Sequence, residues 1–548
     1  MKVLFSMIMT IISIGIYSQT PNWNWVKKGN GSNQDFGRGV TTDASGNVYT
    51  TGSFYSSSIA LGAFTLTNKN NTGSTPDVFI AKYDIAGSAL WARSAKGKLF
   101  DEGQAIATDI NGNVFVTGYF YSDTLIVGTS TVINTGADDI FIVKYDSNGN
   151  FQWVRTASGT LNDRGLGIKI DQIGDIIITG YFESPTLNFN GTTLTNSGGS
   201  DIFVVKYNQS GNIIWAKSNG GNFNDTSYGI AIDNFNNIYI AGDFKSNTIT
   251  FGTNTFTNTN AGNPDIIVVK YDALGNVVWA KQTGGSSEEY AYGICSDTNN
   301  NIVVSGYFQS TSINFGTGAL IKHGTYNSYV VKYNSNGIPL WSKNTTSTYT
   351  NKSYAVTTDG ADNVIITGSY YSGNMFFGTY TLSNVGDNDI YVAKYDPTGN
   401  FLWAKGSGGL AADFGYGISA HSNGNLHVIG IFNSTSISFD TFTLNTSGSA
   451  DVFIGKIGNN IIGINEIMNE AEMIKIFPNP TSDYIIIENI KHFTSLDLFD
   501  CSGNFVQNLS FLNSNTKINL KNLKKGIYYL SVLDRGIRYK NIKLILTE

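Results

Sequence analysis

Seven positions carry an acid or its amide at the same place in a repeating pattern: Asp35, Asp101, Asp163, Asp225, Glu289, Asn351 and Asp413. Each lies five residues before the apolar residue of a short β-patterned run. Six of the seven are carboxylates. Gathered in a ring, such groups could hold a calcium ion, the one cofactor this pattern would suit, or bond the hydroxyls of a glycan. Asp35, Asp101, Asp163, Asp225, Glu289 and Asp413 are therefore the candidate ligand-binding residues. The competing expectation is that each acid caps its own loop or bonds the neighbouring unit, and repetition in every unit favours it.

Other chemistry is thinly represented. His323, His421, His427 and His492 stand at non-equivalent places without metal-ligand spacing. Cys295 and Cys501 fall in separate parts of the chain, so a disulfide between them is not expected. No G-x-S-x-G, H-E-x-x-H or phosphate-binding loop occurs, so no catalytic residue is assigned. The Asp-x-x-Gly-Asn segments, Asp146 to Asn150 above all, look like the start of a calcium loop but lack its distal acid and read as turns.

Positioning falls to a long-period repeat. Trp25, Trp91, Trp153, Trp215, Trp279, Trp341 and Trp403 follow one another at spacings of 66, 62, 62, 64, 62 and 62 residues. Within a unit the pattern predicts four strands, for example Tyr228 to Asp233, Asn236 to Phe244, Asp265 to Asp272 and Asn276 to Lys281. Asp-x-x-Gly-Asn turns join the first strand to the second and the third to the fourth; Asp bonds its own backbone and Gly supplies the positive φ. A segment such as Ile249 to Thr259 reads as an extra hairpin projecting from each unit, and a glycine-rich loop such as Gln282 to Gly293 leads to the next.

The two ends of the array are out of phase. A lone tryptophan strand, Asn22 to Lys28, comes first, and the last unit stops at Asp451 to Gly458 without one. Seven tryptophan strands serve seven three-strand sets only if the first completes the last, which a ring explains because it removes exposed edges. The expected fold class is all-β: a seven-bladed β-propeller over residues 19–458, closed by the N-terminal strand, followed by a small C-terminal β-sandwich. Meandering strands put the tight turns on one face and the long loops on the other, which makes the loop-rich face the expected binding surface. The departures from the repeat are Asn327 for a strand-opening Asp, His421 for a turn Asp and Asn351 among the acids.

Composition agrees. Gly is high (61), Pro low (8) and aromatics 13%, as in β-rich proteins with many turns. The net charge of -6 divides into +1 over residues 1–18, +4 over 474–548 and -11 between them, and an acidic body excludes nucleic acid and anionic membrane as partners. Residues 1–18, with Lys2 before an apolar run and Ser18 at its end, read as a signal peptide. No later segment has 18 consecutive apolar residues, so no transmembrane segment is expected in the mature chain. Residues 459–472 read as a linker, and residues 473–548 as a separate domain of alternating strands.

Two resemblances add to this reading. The units, with DIFVVKY, DxxGN and the Gly-x-Phe of Gly180-Tyr181-Phe182 and Gly306-Tyr307-Phe308, resemble the SBBP-type β-propeller repeats of secreted bacterial proteins over residues 22–458. That implies a fold and no activity. The tail, with Phe477-Pro-Asn-Pro-Thr, Lys525-Gly-Ile-Tyr and a basic last strand, is similar to the type A C-terminal sorting domain of type IX secretion. This implies handling by the type IX machinery through residues 473–548, removal of the tail, and a place outside, or on the outer surface of, a Gram-negative bacterium. The expected function is an interaction module binding a glycan or protein through the loop-rich face. The alternatives are an extracellular polysaccharide hydrolase or lyase, for which Asp101-Glu102 and Glu288-Glu289 are the doubled acids, and a structural matrix component.

Overall fold

The computed structural model describes residues 20–371, 373–458, 475–477, 479–488, 495–500, 505–510, 516–534 and 537–547. The signal segment, the 459–472 linker, His492 and Cys501 lie outside the described residues. The chain divides after Gly458 into two compact units, and each is all-β, with no helix among the described residues.

In the large unit the first strands are β1 (Asn22–Asn30), β2 (Asp35–Thr42), β3 (Val48–Phe54), β4 (Ser58–Leu61), β5 (Phe64–Thr67), β6 (Asp77–Tyr83) and β7 (Ala89–Lys96). The order β2-β3-β6-β7 is an antiparallel meander. Its middle strands, VYTTGSF and DVFIAKY, are buried along their whole length, which suits residues packed on both faces of a sheet. The same meander recurs with first strands at Asp101–Thr108, Asp163–Ile170, Asp225–Ile232, Glu289–Ser296, Asn351–Thr358 and Asp413–Ala420. The last of these sets takes β1 as its fourth strand, pairing Trp25 with Lys456, Val26 with Gly455 and Lys27 with Ile454.

Each set is joined to the next through its turns and its first strand. Asp43 Oδ1 accepts the amides of Ser45 and Asn47, both at 2.9 Å, and Gly46 has φ +81°. Asn236, Asn300 and Asp362, residue types that tolerate the left-handed region, take that place in other units. The turns that precede the tryptophan strands do a second job. The Trp91 indole N–H donates to the Ser147 carbonyl at 3.2 Å, and its ring lies flat against Gly149, where a Cβ would come within 2.8 Å. Trp341 repeats this with Pro397 at 3.0 Å and Gly399. First strands also touch from one set to the next, with the last against β2, where Thr42 Oγ1 and Ser419 Oγ are 3.2 Å apart.

Two of the extra hairpins do not project freely, as the sequence implied, while those at 186–195, 248–257, 312–321 and 436–445 form two-stranded sheets of their own. β4 pairs with β1 (Gly29 with Leu61), and Thr124–Val127 pairs with β7 (Ala95 with Val127). Each thus extends the fourth strand of the preceding set and buries its apolar face there, Ile59 and Leu61 in one case and Leu125 and Val127 in the other. An exposed edge strand that would otherwise carry unpaired amides is covered in this way.

The smaller unit has two antiparallel sheets. One contains Lys475–Phe477, Tyr484–Glu488 and Thr516–Asn519, the other Phe505–Ser510, Ser495–Asp500, Gly526–Asp534 and Ile537–Leu546. Ile485, Leu498, Leu530 and Leu544 are fully buried in it.

Candidate functional site

The repeated acids are the first residues of the first strands, three residues earlier than the alternation of the sequence marks the strands as starting. Asp35, Asp101, Asp163, Asp225, Glu289, Asn351 and Asp413 all have 0% exposure. Asp163 is representative. Its Oδ2 accepts the Ser184 hydroxyl at 2.7 Å and its Oδ1 the amides of Glu183 and Ser184, while Ser184 Oγ accepts the amides of Thr160 and Leu161. Its own amide donates to the Asp138 carbonyl of the preceding set at 2.7 Å. Serines 56, 122, 246 and 434 do the same for Asp35, Asp101, Asp225 and Asp413. The arrangement is a staple that ties a loop to a strand and one set to the next. These carboxyls present no free face to a ligand, and the acids expected from the sequence to face a ligand are internal.

A second acid faces each staple across the junction: Asp451 for Asp35, Asp77 for Asp101, Asp139 for Asp163, Asp201 for Asp225, Asp265 for Glu289 and Asp389 for Asp413. Burial, with the like charge opposite added to it, pushes Asp35, Asp163 and Glu289 up to about 7 and Asp225 up to about 6. The remaining junction has amides on both sides, Asn327 and Asn351, with the Ser328 amide donating to Asn351 Oδ1 at 2.7 Å. The two departures seen separately in the sequence are thus one coordinated replacement.

Three residues along the same strand the chain does something different. In all seven first strands the register against the second strand slips, between Gly37 and Gly39, Ser227 and Gly229, Ala291 and Gly293, and at the equivalent places elsewhere. The skipped residues are Arg38, Gln104, Leu166, Tyr228, Tyr292, Tyr354 and Tyr416. A bulge of this kind bends the strand and re-aims the extra side chain. It also explains the Gly-x-Phe motif. The bulged strand presses against the second strand so closely that a Cβ on Gly242 would sit 1.9 Å from the Thr226 carbonyl oxygen, and its six counterparts are equally confined.

The bulged residues of all seven first strands line one cavity of about 720 Å³, a size suited to a small ligand. It lies at the loop end of the strands, opposite the turn that follows β2 at Asp43. Its walls differ. On one side four tyrosines run in series, with ring centroids 4.5 Å apart for Tyr228 and Tyr292, 6.1 Å for Tyr292 and Tyr354, and 5.3 Å for Tyr354 and Tyr416. Tyr290 and Tyr307 back them, with Tyr292 and Tyr307 stacked at 5.5 Å. The other side is charged. Gln104 Nε2 donates to Glu102 Oε2 at 2.7 Å, Arg38 Nη2 is 3.8 Å from the same oxygen, and Arg164 is paired with Asp138 and stacked on Tyr119. Between the walls Asp243 is 2% exposed with no partner for Oδ1, and burial raises its carboxyl to about 8 despite Lys245 nearby.

Of the expected site residues none lines this cavity, although Glu102, the neighbour of Asp101, does. Among the described residues no group of three or more His, Cys, Asp or Glu side chains could hold a metal ion. The Asp146 turn spends its carboxylate on the amides of Asn148 and Asn150 and on the Asn150 side chain. Cys295 is a free thiol pushed up to about 12 by burial. The signal for the tyrosine wall in the sequence is the recurrence of tyrosine three residues after the acid in four successive units, Tyr228, Tyr292, Tyr354 and Tyr416.

Residues 475–547 match the family described as the secretion system C-terminal sorting domain. The protein is accordingly handled by type IX secretion and is secreted or held at the outer surface of a Gram-negative bacterium. Among the described residues no helix is long and apolar enough to cross a membrane. The chain is similar to an uncharacterized WD repeat-containing protein of Acanthamoeba polyphaga mimivirus, 29% identical over 370 residues, covering 54% of this chain and 26% of that protein. It is also similar to the regulatory protein FlaEY of Caulobacter vibrioides, 26% identical over 183 residues, covering 30% of this chain and 19% of that one. The chain thus spans about a quarter or less of the curated relatives it matches. Among solved structures, the Pan2 WD40 domain of Neurospora crassa aligns with a TM-score of 0.40 and 8% identity, covering 79% of this chain and 90% of that one. PorZ, a surface component of the type IX secretion system of Porphyromonas gingivalis, aligns with a TM-score of 0.15 and 9% identity, covering 95% and 100%.

Proposed function

We propose that residues 19–458 are a seven-bladed β-propeller of SBBP-type repeats with β1 as the outermost strand of the seventh blade, and that it is a glycan-binding module of the cell exterior. The pairing of β1 with Asp451–Gly458 and the contact of the last first strand with β2 support the ring. The observation that carries the function is the bulge. It turns toward one cavity a strand position whose residue differs between units, and that position is tyrosine in four successive units. Aromatic faces stack on the C–H faces of sugar rings, and the polar groups opposite supply hydrogen bonds. Exposed Leu161, Phe223 and Tyr349 on the loops that lead into the first strands would widen the platform. In this reading the acids Asp35, Asp101, Asp163, Asp225, Glu289 and Asp413 serve the site from behind, by holding its loops. A signal peptide at residues 1–18, a linker at 459–472 and removal of the tail complete the export route.

The test is a glycan array probed with the full chain, with and without calcium. Binding that persists in chelator supports the reading; a chain that binds no glycan, or only a protein partner from the same cell surface, contradicts it. Release of reducing ends from a bound glycan would turn the module into the polysaccharide-acting enzyme.

A further inference from the structure

We propose that the cavity selects a short, uncharged oligosaccharide lying along the tyrosine arc, with Asp243 accepting a sugar hydroxyl at one end and Arg38 donating to one at the other. The inference deepens the glycan reading and rests on it.

Asp243 is the residue that least belongs to the scaffold. It occupies the middle of the Gly-x-Phe motif, where the other units have Ser53, Tyr119, Tyr181, Tyr307, Ser369 and Ile431, so the fold needs no acid there. It is almost wholly buried against Tyr228, the first tyrosine of the arc, yet Oδ1 meets no donor. A buried acceptor without a donor is costly, and a donor arriving through the cavity removes that cost. At the far end of the arc the Arg38 guanidinium stacks at 5.0 Å on Tyr416, and its Nε is buried without an acceptor. An unused acceptor and an unused donor, separated by four aromatic faces, are the complement of a chain of hydroxylated rings.

Charged ligands fit less well. Of the cations that line the cavity, Arg164 is engaged by Asp138, the Arg38 charge is offset by Glu102 at 3.8 Å, and that of Lys245 by the neighbouring Asp243. An amino sugar would find the aromatic faces nearest the acids taken, since the Lys352 ammonium lies 4.3 Å from the Tyr307 ring and 4.5 Å from that of Tyr326. Lys245 stands beside Asp243 itself.

Calorimetric titration of the full chain with the neutral glycan that scores highest on the array, and with oligogalacturonate and chitosan oligomers, tests the selection. The neutral glycan is expected to bind at least 10-fold more tightly than either charged probe. Asp243→Leu, which keeps the branched shape and removes the acceptor, is expected to weaken it at least 10-fold, and Arg38→Met by several fold. Asp243→Asn, which keeps an acceptor oxygen and folds without a buried carboxyl, is expected to stay within about 3-fold of the wild type; the same circular dichroism and melting curve for all variants keeps the comparison one of binding. Equal binding by wild type and Asp243→Leu, or preference for a charged probe, overturns this inference while leaving glycan binding intact. A chain that binds no glycan overturns both.

Discussion

The staples and the bulged residues lie three positions apart on the same seven strands, and they are built on opposite rules. At the staples the residue is acidic in six units, fully buried in all seven, and fastened to a serine of its own sheet in most of them. At the bulges the same backbone distortion recurs in every unit, while the side chain it projects is Arg38, Gln104, Leu166 or one of four tyrosines. Repetition marks what every junction needs to hold; variation marks what is free to meet something else. In a repeat protein the most recurrent polar residue is therefore a poor guide to a site, because a ligand rarely has the symmetry of its scaffold.

The largest loss of stability is expected where the second strand meets the bulge most closely. Gly242→Ala puts a methyl group against the Thr226 carbonyl and must displace the bulged strand, so it is expected to cost about 3 kcal/mol or more, as overpacked sites do, and to lower the denaturant midpoint with it. Removing a staple comes next. Asp163→Ala strands the Ser184 hydroxyl and two amides in a buried junction and is expected to cost about 2 kcal/mol, measured by urea unfolding.

Acidity offers a gentler probe. The staple acids carry folded values of about 6 to 7 against an ordinary 3.8, or 4.5 for Glu289. The folded chain therefore holds more protons than the unfolded one in that interval, so their stabilisation is complete below the ordinary value and is lost as pH rises through the folded value. His427 acts in the other sense. Burial against Trp25 lowers it from 6.5 to about 3, so its contribution is lost as pH falls through that range. With many acids opposing one histidine, the melting temperature is expected to fall between about pH 5 and about pH 8, and Asp225→Asn to flatten that slope. The junction at Asn327 and Asn351 sharpens the same comparison. Converting both to Asp should steepen the slope there, while converting Asp201 and Asp225 both to Asn should be nearly neutral near pH 5. Tyr292→Ala, at a half-buried bulge, is expected to change stability least, by about 1 kcal/mol, while reducing glycan binding at least 10-fold.

The large unit was legible in the sequence because its strands are long apolar runs with tight turns between them, and because the phase offset pointed to the β1 partner that the pairing of Trp25 with Lys456 supplies. The site was not, for a local reason. A bulge breaks the period of two, so alternation alone started the strand at Tyr228, past the staple and on the very residue that is re-aimed. The Gly-x-Phe motif was visible, but the need for its glycine is a distance of approach between two strands, which a one-dimensional pattern does not contain. The coupling of Asn327 to Asn351 was invisible for the same reason, since the two lie 24 residues apart on different sheets.

On the proposed function, ligand binding belongs to the bulged residues and not to the stapled acids. The direct measurement is titration of one array-identified glycan into two variants of the full chain, Tyr228→Ala with Tyr292→Ala, and Asp163→Asn with Asp225→Asn, each with its melting curve. The account predicts that the tyrosine pair abolishes measurable binding while the protein stays folded, and that the asparagine pair binds within about 3-fold of the wild type, a difference under 1 kcal/mol. Binding kept by the first variant and lost by a folded second one would return the site to the acids and contradict it.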